Sequence, residues 1–351
     1  MTATDLRARV DDALEQFLDA ATLPIDAVAG ELHELTATAR SFVLAGGKRL
    51  RPAFCYWGFR ATGAADDECI IRAAAALELL QACALMHDDV IDASDTRRGS
   101  PAVHRRFAEL HRTAGWSGDA ARFGDAAAIL LGDLVLVWAD AMLTGSGFDA
   151  VALQRAQPAW DAMRAEVMCG QYLDVVEQAR GGGSVERALR VARFKSAKYT
   201  VERPLHLGAT LGGAAADLLD GFSAFGLPLG EAFQLRDDLL GVFGDPQHTG
   251  KPAGDDLREG KQTVLVAFAA EAADADQRHA LRHGLGNPHL DETDIETLRT
   301  VIIATGAAQR VEQLIEDRTA QALGALDGLA MPHAVRAELR GLATAVTQRA
   351  R

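Results

Sequence analysis

Apolar residues recur at three- and four-residue intervals along most of this chain, in stretches such as DECIIRAAAALELLQACALMHDDVID, GDAAAILLGDLVLVWADAML and QPAWDAMRAEVMCGQYLDVVEQAR. That spacing gathers the apolar side chains on one face of an α-helix, and the Ala and Leu content favours the same conformation. The period-two alternation of a half-buried strand is absent. Several stretches are apolar nearly all round, which predicts helices at the centre of a bundle, with the amphipathic terminal segments wrapped outside. Gly, Pro and Asp clusters at LAGGKRLRP, DTRRGSP, WSGDAARFGD, RGGGS, GDPQHTGKPAGDD and HGLGNPHLDETD mark the loops. Only GGGS at Gly181 to Ser184 resembles a linker, and the composition is the same on both sides of it. The pattern therefore predicts one all-α domain over residues 1–351, a helical bundle without solenoid repeats.

Composition narrows the partners. The 351 residues are 48% hydrophobic, enough for a sizeable core, and carry a net charge of -13. An acidic surface of that kind repels phosphate backbones, so a nucleic-acid partner is not expected. Cys55, Cys69, Cys83 and Cys169 form no CxxC pair and read as reduced thiols rather than a zinc site or a disulfide framework. The N-terminal MTATDLRARVDDALEQF has no signal-peptide character, and no apolar run is expected to span a bilayer. A soluble, cytoplasmic protein is the expectation.

The candidate chemistry begins with two acid groups, each ending an apolar helical stretch. Asp88, Asp89 and Asp92 lie in ALMHDDVID, and Asp237 and Asp238 in FQLRDDLLGVFGD. On a helix Asp88 and Asp92 are one turn apart with Asp89 beside them. Crowded carboxylates next to apolar surface are costly unless a cation joins them, and hard oxygen ligands suit Mg2+ bridging to phosphates. Basic residues supply the complement: Lys48, Arg49 and Arg51 in LAGGKRLRPAF, and Arg97 and Arg98 in DTRRGSPAVH. Further on come Lys195, Ser196 and Lys198 in RFKSAKYTVERPLHLGA, and Lys251 and Lys261 in TGKPAGDDLREGKQT. Glycines let backbone approach a bulky anion, and Lys with Arg can clamp a diphosphate. The GK pair does not match the P-loop pattern, and no strand precedes it, which argues against a nucleoside triphosphatase.

The ordered set GGKRLRP, DDVID, RRG, GQYLD, KSA, FQLRDD and GKPAGDDLREGKQT, from about Gly46 to Thr263, resembles the trans-polyprenyl diphosphate synthases. The resemblance implies the isoprenoid synthase fold, a helical bundle around a deep apolar cavity with two acid motifs facing each other across its mouth. It implies that Asp88, Asp89, Asp92, Asp237 and Asp238 bind Mg2+, three ions per active site with Mn2+ able to substitute. Lys48, Arg51, Gln81 and Arg98 match residues for isopentenyl diphosphate. Arg97, Lys195, Lys251 and Lys261 match residues for the allylic diphosphate, and Ser196 and Gln234 match polar residues beside the developing carbocation. Gly241 stands where many relatives carry a third aspartate. The family likeness further implies a homodimer.

The resemblance implies condensation of isopentenyl diphosphate with dimethylallyl, geranyl or farnesyl diphosphate, with release of pyrophosphate. No side-chain base is required, and His87 reads as structural. Cys83 and Ala84, a turn before Asp88, are small where relatives that stop at fifteen carbons usually place an aromatic. Geranylgeranyl diphosphate or a somewhat longer product is therefore expected, ahead of farnesyl diphosphate. A class I terpene cyclase is less well matched, because it would not need GGKRLRP for a second diphosphate. A non-catalytic synthase subunit normally has degraded acid motifs, whereas the first one here is whole.

Overall fold

A computed structural model describes residues 3–245 and 254–348. Helices make up nearly all of it, as the apolar periodicity predicts, and the contacts divide the chain into two compact units. Unit 1 holds residues 1–156 and 207–213, and unit 2 holds 157–206 and 214–351.

Unit 1 is built from α1 (Ala3–Asp26), α2 (Leu32–Leu44), α3 (Leu50–Ala61), α4 (Glu68–Ile91), α5 (Val103–Thr113) and α6 (Ala120–Thr144). Asp67 starts α4 by accepting from the Cys69 amide, and Asp119 starts α6 by accepting from that of Ala121, each satisfying amides that the first helical turn leaves free. The middle of α4 is buried on all sides, with Ile70, Ile71, Ala73 to Leu77 and Leu79 at 0% exposure. By length and composition α4 and α6 could each cross a membrane, contrary to the sequence-based expectation. The Ala-rich code of a central bundle helix is as apolar as that of a span, and most of the apolar stretch of α4 is buried in the protein. After α4 a short antiparallel hairpin, β1 (Thr96–Arg97) and β2 (Ser100–Pro101), departs from the strand-free prediction. Two residues per strand are too few to leave an alternating signature.

The long α7 (Ala150–Arg180) and α9 (Arg203–Leu211) contribute residues to both units. Unit 2 continues with α8 (Val185–Val191), a π-helix (Ala192–Glu202), α10 (Ala216–Phe243), α11 (Asp255–Glu259), α12 (Val264–Ala272), α13 (Ala275–Gly284), α14 (Glu292–Ala304), α15 (Ala307–Asp327) and α16 (His333–Thr347). Leu235, Leu239 and Val242 of α10 pack into one apolar cluster with Leu257, Leu265, Ile302 and Ile315. This packing fixes the helix that carries the second acid group.

Candidate functional site

In unit 1 the first acid group ends α4. Asp89 is fully buried and accepts from Arg97 Nε at 2.8 Å, while Arg97 Nη2 also lies 3.7 Å from Asp88 Oδ2. Arg97 is thus turned onto the acids it follows in sequence. Arg98 is held below the usual guanidinium range by desolvation, against the pull of Glu78 and with Arg49, Arg97 and Arg51 lowering it further. These five side chains therefore share one electrostatic neighbourhood, which brings together Arg51, Arg97 and Arg98 of the predicted set. Lys48 is exposed on the loop that leads into α3.

Backbone strain collects at the same place. Among the described residues the non-glycine positions with positive φ are Arg49, Ala93 and Arg98, at 49°, 53° and 53°. Left-handed backbone costs a residue with a Cβ of the order of 1 kcal/mol or more, and it tends to gather at functional sites. Gly46 and Gly47 precede Arg49 with φ of 90° and 147°, which explains the double glycine. Arg49 does not face solvent with Lys48. It donates to Glu78 Oε2 at 2.5 Å, to Asp11 Oδ1 at 2.7 Å and to Val43 O at 3.1 Å. Gln81 lies one turn beyond Glu78, and its buried Oε1 has no partner among the described residues.

Cys83 and Ala84 separate in space. Cys83 is buried, its Sγ 3.8 Å from His87 Nδ1, and desolvation pushes its thiol up to about 12. His87 Nε2 in turn lies 3.1 Å from Ile129 O, and a Cβ on Gly132 would collide with the imidazole ring. Cys83 and His87 thus face α6, consistent with a structural His87. Ala84 is only half-buried.

In unit 2 the KSA segment is a π-helix, not the α-helix its composition suggests. Such wide turns are often found at functional sites. Lys195 Nζ donates to Asp174 Oδ2 at 2.6 Å, and Lys198 Nζ donates to Glu166 Oε1 at 2.7 Å. Asp174 is the acid of GQYLD, and the buried Gln171 Nε2 of that motif has no partner among the described residues. Ser196 is half-buried on the same π-helix. In the second acid group Gln234 donates to Asp238 Oδ1 at 2.7 Å rather than standing apart as a separate polar contact. Burial raises the Asp238 carboxyl to about 8; Gln234 opposes this, while the charges of Asp256 and Asp237 add to it. Lys261 Nζ lies 2.6 Å from Glu259 and 3.4 Å from Asp256. Lys251 lies outside the described residues.

Glu78, Glu166, Asp174 and Asp256 escaped the sequence reading. Asp174 and Asp256 lie in quoted motifs, GQYLD and GKPAGDDLREGKQT, without a role read for either; Glu78 and Glu166 reach their partners through tertiary folding. Among the described residues no three His, Cys, Asp or Glu side chains converge as a ready-made metal cage. Mg2+ needs none, since it commonly takes one or two carboxylates and completes its shell with phosphate oxygens and water. The crowding of negative charge at Asp237, Asp238 and Asp256 fits such an ion.

A helical chain that sets carboxylate groups and clustered arginines on strained backbone has the makings of a diphosphate-handling enzyme, and comparison with known proteins gives the class. The polyprenyl synthetase family model matches residues 33–302, and the chain belongs to that family. It is similar to a crystal structure of geranylgeranyl pyrophosphate synthase from Corynebacterium glutamicum complexed with isoprenyl diphosphate and magnesium, at 47% identity, TM-score 0.97 and 100% coverage of both chains. It is 31% identical over 282 residues to geranylfarnesyl diphosphate synthase of Aeropyrum pernix, covering 79% of this chain and 82% of that one. Geranylgeranyl diphosphate synthase of Saccharolobus solfataricus is 32% identical over 260 residues, 74% of this chain and 73% of the relative. The chain is a prenyltransferase of the trans-polyprenyl diphosphate synthase class with the all-α isoprenyl synthase fold.

Proposed function

We propose that this enzyme condenses isopentenyl diphosphate with an allylic diphosphate, whether dimethylallyl, geranyl or farnesyl, and releases pyrophosphate, with all-trans geranylgeranyl diphosphate as the main product. The observation that carries the reading is Arg97 turned onto Asp88 and Asp89, with Arg98 next to it on left-handed backbone and Arg51 in the electrostatic neighbourhood of Arg98. A site for one small anion has no use for so many cations, whereas two diphosphates do.

Asp88, Asp89, Asp92, Asp237 and Asp238 are the acids that would hold Mg2+, three ions per site with Mn2+ as a substitute. Bound there, the metal would neutralise the allylic diphosphate and improve it as a leaving group. Arg97, Lys195, Lys251 and Lys261 bind that diphosphate, and Lys48, Arg51, Gln81 and Arg98 bind isopentenyl diphosphate. The allylic carbon to oxygen bond breaks, the isopentenyl double bond supplies the electron pair for the new carbon–carbon bond, and a proton is lost to the departing pyrophosphate. Ser196 and Gln234 stabilise the positive charge that develops in between. Holding two anionic substrates together does most of the remaining work.

The small Ala84 and the similarity to a geranylgeranyl pyrophosphate synthase at 47% identity support the twenty-carbon product. The same reading treats residues 1–351 as one synthase domain, active as a homodimer in the cytoplasm.

The test incubates the purified enzyme with isopentenyl diphosphate and each allylic primer, then separates the dephosphorylated products. Geranylgeraniol is expected as the main peak, and a dominant farnesol peak would sink the product assignment. Asp88→Ala and Asp237→Ala should each lower turnover by orders of magnitude with the helical circular dichroism unchanged. Near wild-type turnover in either variant would overturn the site. Light scattering should give a dimer at micromolar concentration; monomer alone counts against the assembly.

A further inference from the structure

One carboxylate of α7 spans a full turn of the π-helix. Glu166 Oε1 accepts from Lys198 Nζ and from Arg203 Nη2, both at 2.7 Å, and Oε2 accepts from Arg203 Nε at 2.6 Å. Lys198 and Arg203 are five residues apart, and the Arg203 amide donates to the Lys198 carbonyl, which is the bond that closes a π turn. In an α-helix two residues five apart point about 140° away from each other. The wider turn brings them back to one side, where a single carboxylate meets both.

We propose that Glu166 is a positioning residue: by stapling Lys198 to Arg203 it holds the π-helix in the register that aims Lys195 at the allylic diphosphate. This rests on the reading of Lys195 as a ligand of that diphosphate.

The packing around the π-helix leaves that register little freedom. Glu166, Gly170 and Asp174 follow one another at four-residue spacing on one face of α7. Glu166 grips the far end of the π-helix, and Asp174 accepts from Lys195 Nζ at 2.6 Å. Between them the backbone comes so close that a Cβ on Gly170 would lie 2.3 Å from the Lys195 amide nitrogen. On α10 a Cβ on Gly230 would stand 2.5 Å from Ala197 Cα. A slip of one residue toward the α-helical register turns the side chains before Lys198 by about 100° and moves them about 1.5 Å along the axis, which takes Lys195 off its line. The staple that resists this slip is charged. Burial raises the Glu166 carboxyl, but the hydrogen bonds and charges of Arg203 and Lys198 outweigh it and hold the group below the usual carboxylate range.

The test is steady-state kinetics on the full-length enzyme, with the allylic and isopentenyl diphosphates varied separately. Glu166→Gln, which keeps size and removes charge, should lower kcat/KM for the allylic substrate by about 10- to 100-fold, the cost of a small misplacement of a binding group. KM for isopentenyl diphosphate should stay within about twofold of wild type, since Lys195 does not touch that substrate in this reading. Arg203→Gln opens the same staple while leaving Glu166 paired with Lys198, and should act in the same direction if Glu166→Gln folds poorly. In a Lys195→Ala background neither substitution should add more than about twofold, because both act through Lys195. Amide exchange in Glu166→Gln should quicken on the order of tenfold within Ala192–Glu202 and not across the rest of unit 2. Wild-type kinetics in Glu166→Gln and Arg203→Gln, with loss in Lys195→Ala, overturn the role of Glu166 alone. Losses that multiply in full with Lys195→Ala overturn it as well, since the carboxylate would then act elsewhere. Wild-type kinetics in Lys195→Ala overturn the reading of Lys195 as a ligand, and the proposal with it.

Discussion

Arg49 and Glu78 form a buried ion pair, Nη1 to Oε2 at 2.5 Å, with side chains only 3% and 6% exposed. The pair ties the left-handed turn after Gly46 and Gly47 to α4, one turn before Gln81. Arg49 thereby sets the direction in which Lys48 and Arg51 leave that turn. Removing one partner strands the other charge out of water. Glu78→Ala or Arg49→Ala should therefore cost on the order of 3–5 kcal/mol, whereas Arg49→Met with Glu78→Leu should cost less than either. Urea unfolding followed by circular dichroism measures all three. A double variant as unstable as the sum of the singles would refute the pairing argument.

The two small residues before Asp88 make different predictions because they face different ways. Cys83 packs toward His87 and α6, where a phenyl ring has no room. Cys83→Phe should destabilise the fold by about 1–3 kcal/mol through overpacking. Ala84 is half-buried and lies one turn below Asp88, on the side proposed for the growing chain. Ala84→Phe should keep the melting temperature within a few degrees and shift the product toward farnesyl diphosphate, read by chromatography of the alcohols. An unchanged product profile would remove Ala84 from length control.

What the sequence made legible follows the range of the forces involved. The helices, the two acid groups and the arginines beside them are local, carried by spacing and composition within a few turns. Asp174 and Glu166 matter because α7 packs against the π-helix, and no pattern around either one announces Lys195 or Lys198 as its partner. The π-helix was equally hidden, because wide and ordinary helices draw on the same residues. Arg49 shows the converse: its position among Lys48 and Arg51 suggests a substrate clamp, while its contacts are those of a buried strut. Gly241 was visible as a departure, but that the Asp256 carboxylate packs against it required the tertiary fold.

His206 gives a pH dependence away from the acid groups. It is 8% exposed, with Nε2 3.0 Å from Leu219 O and Nδ1 3.1 Å from Arg203 Nη1. A guanidinium donor facing Nδ1 requires the neutral ring, with its proton on Nε2, a tautomer inferred from the partners. Burial, the largest influence, lowers its pKa from 6.5; Glu202 opposes this and Arg203 adds to it. The unfolded chain then takes up this proton more readily than the folded one. The stability tied to the neutral ring is complete above pH 6.5 and is lost as pH falls from there through the lowered folded value. A single proton sets a limiting slope of about 1.4 kcal/mol per pH unit. Urea midpoints between pH 7.5 and 5.5 should fall more steeply for wild type than for His206→Gln. Parallel curves would exclude His206 as the source.

Gly170 tests whether the π-helix itself matters. It lies on α7, where a Cβ would come within 2.5 Å of Phe194 C and 2.6 Å of Lys195 Cα. These are backbone atoms and cannot swing aside as a side-chain tip can. Helix propensity alone would make Gly170→Ala stabilising by about 1 kcal/mol. The close approach reverses that sign: the variant should lose about 1–3 kcal/mol to overpacking. It should also lower turnover, because moving the Lys195 backbone breaks the 2.6 Å contact with Asp174. Gly324→Ala and Gly341→Ala are the controls, since both positions are helical with nothing within 4 Å of a new Cβ. They should gain about 0.4–1 kcal/mol and leave turnover unchanged. Melting temperature and steady-state kinetics on the three variants decide the matter. A Gly170→Ala enzyme that behaves like the controls would show that the π-helix can move without consequence for Lys195.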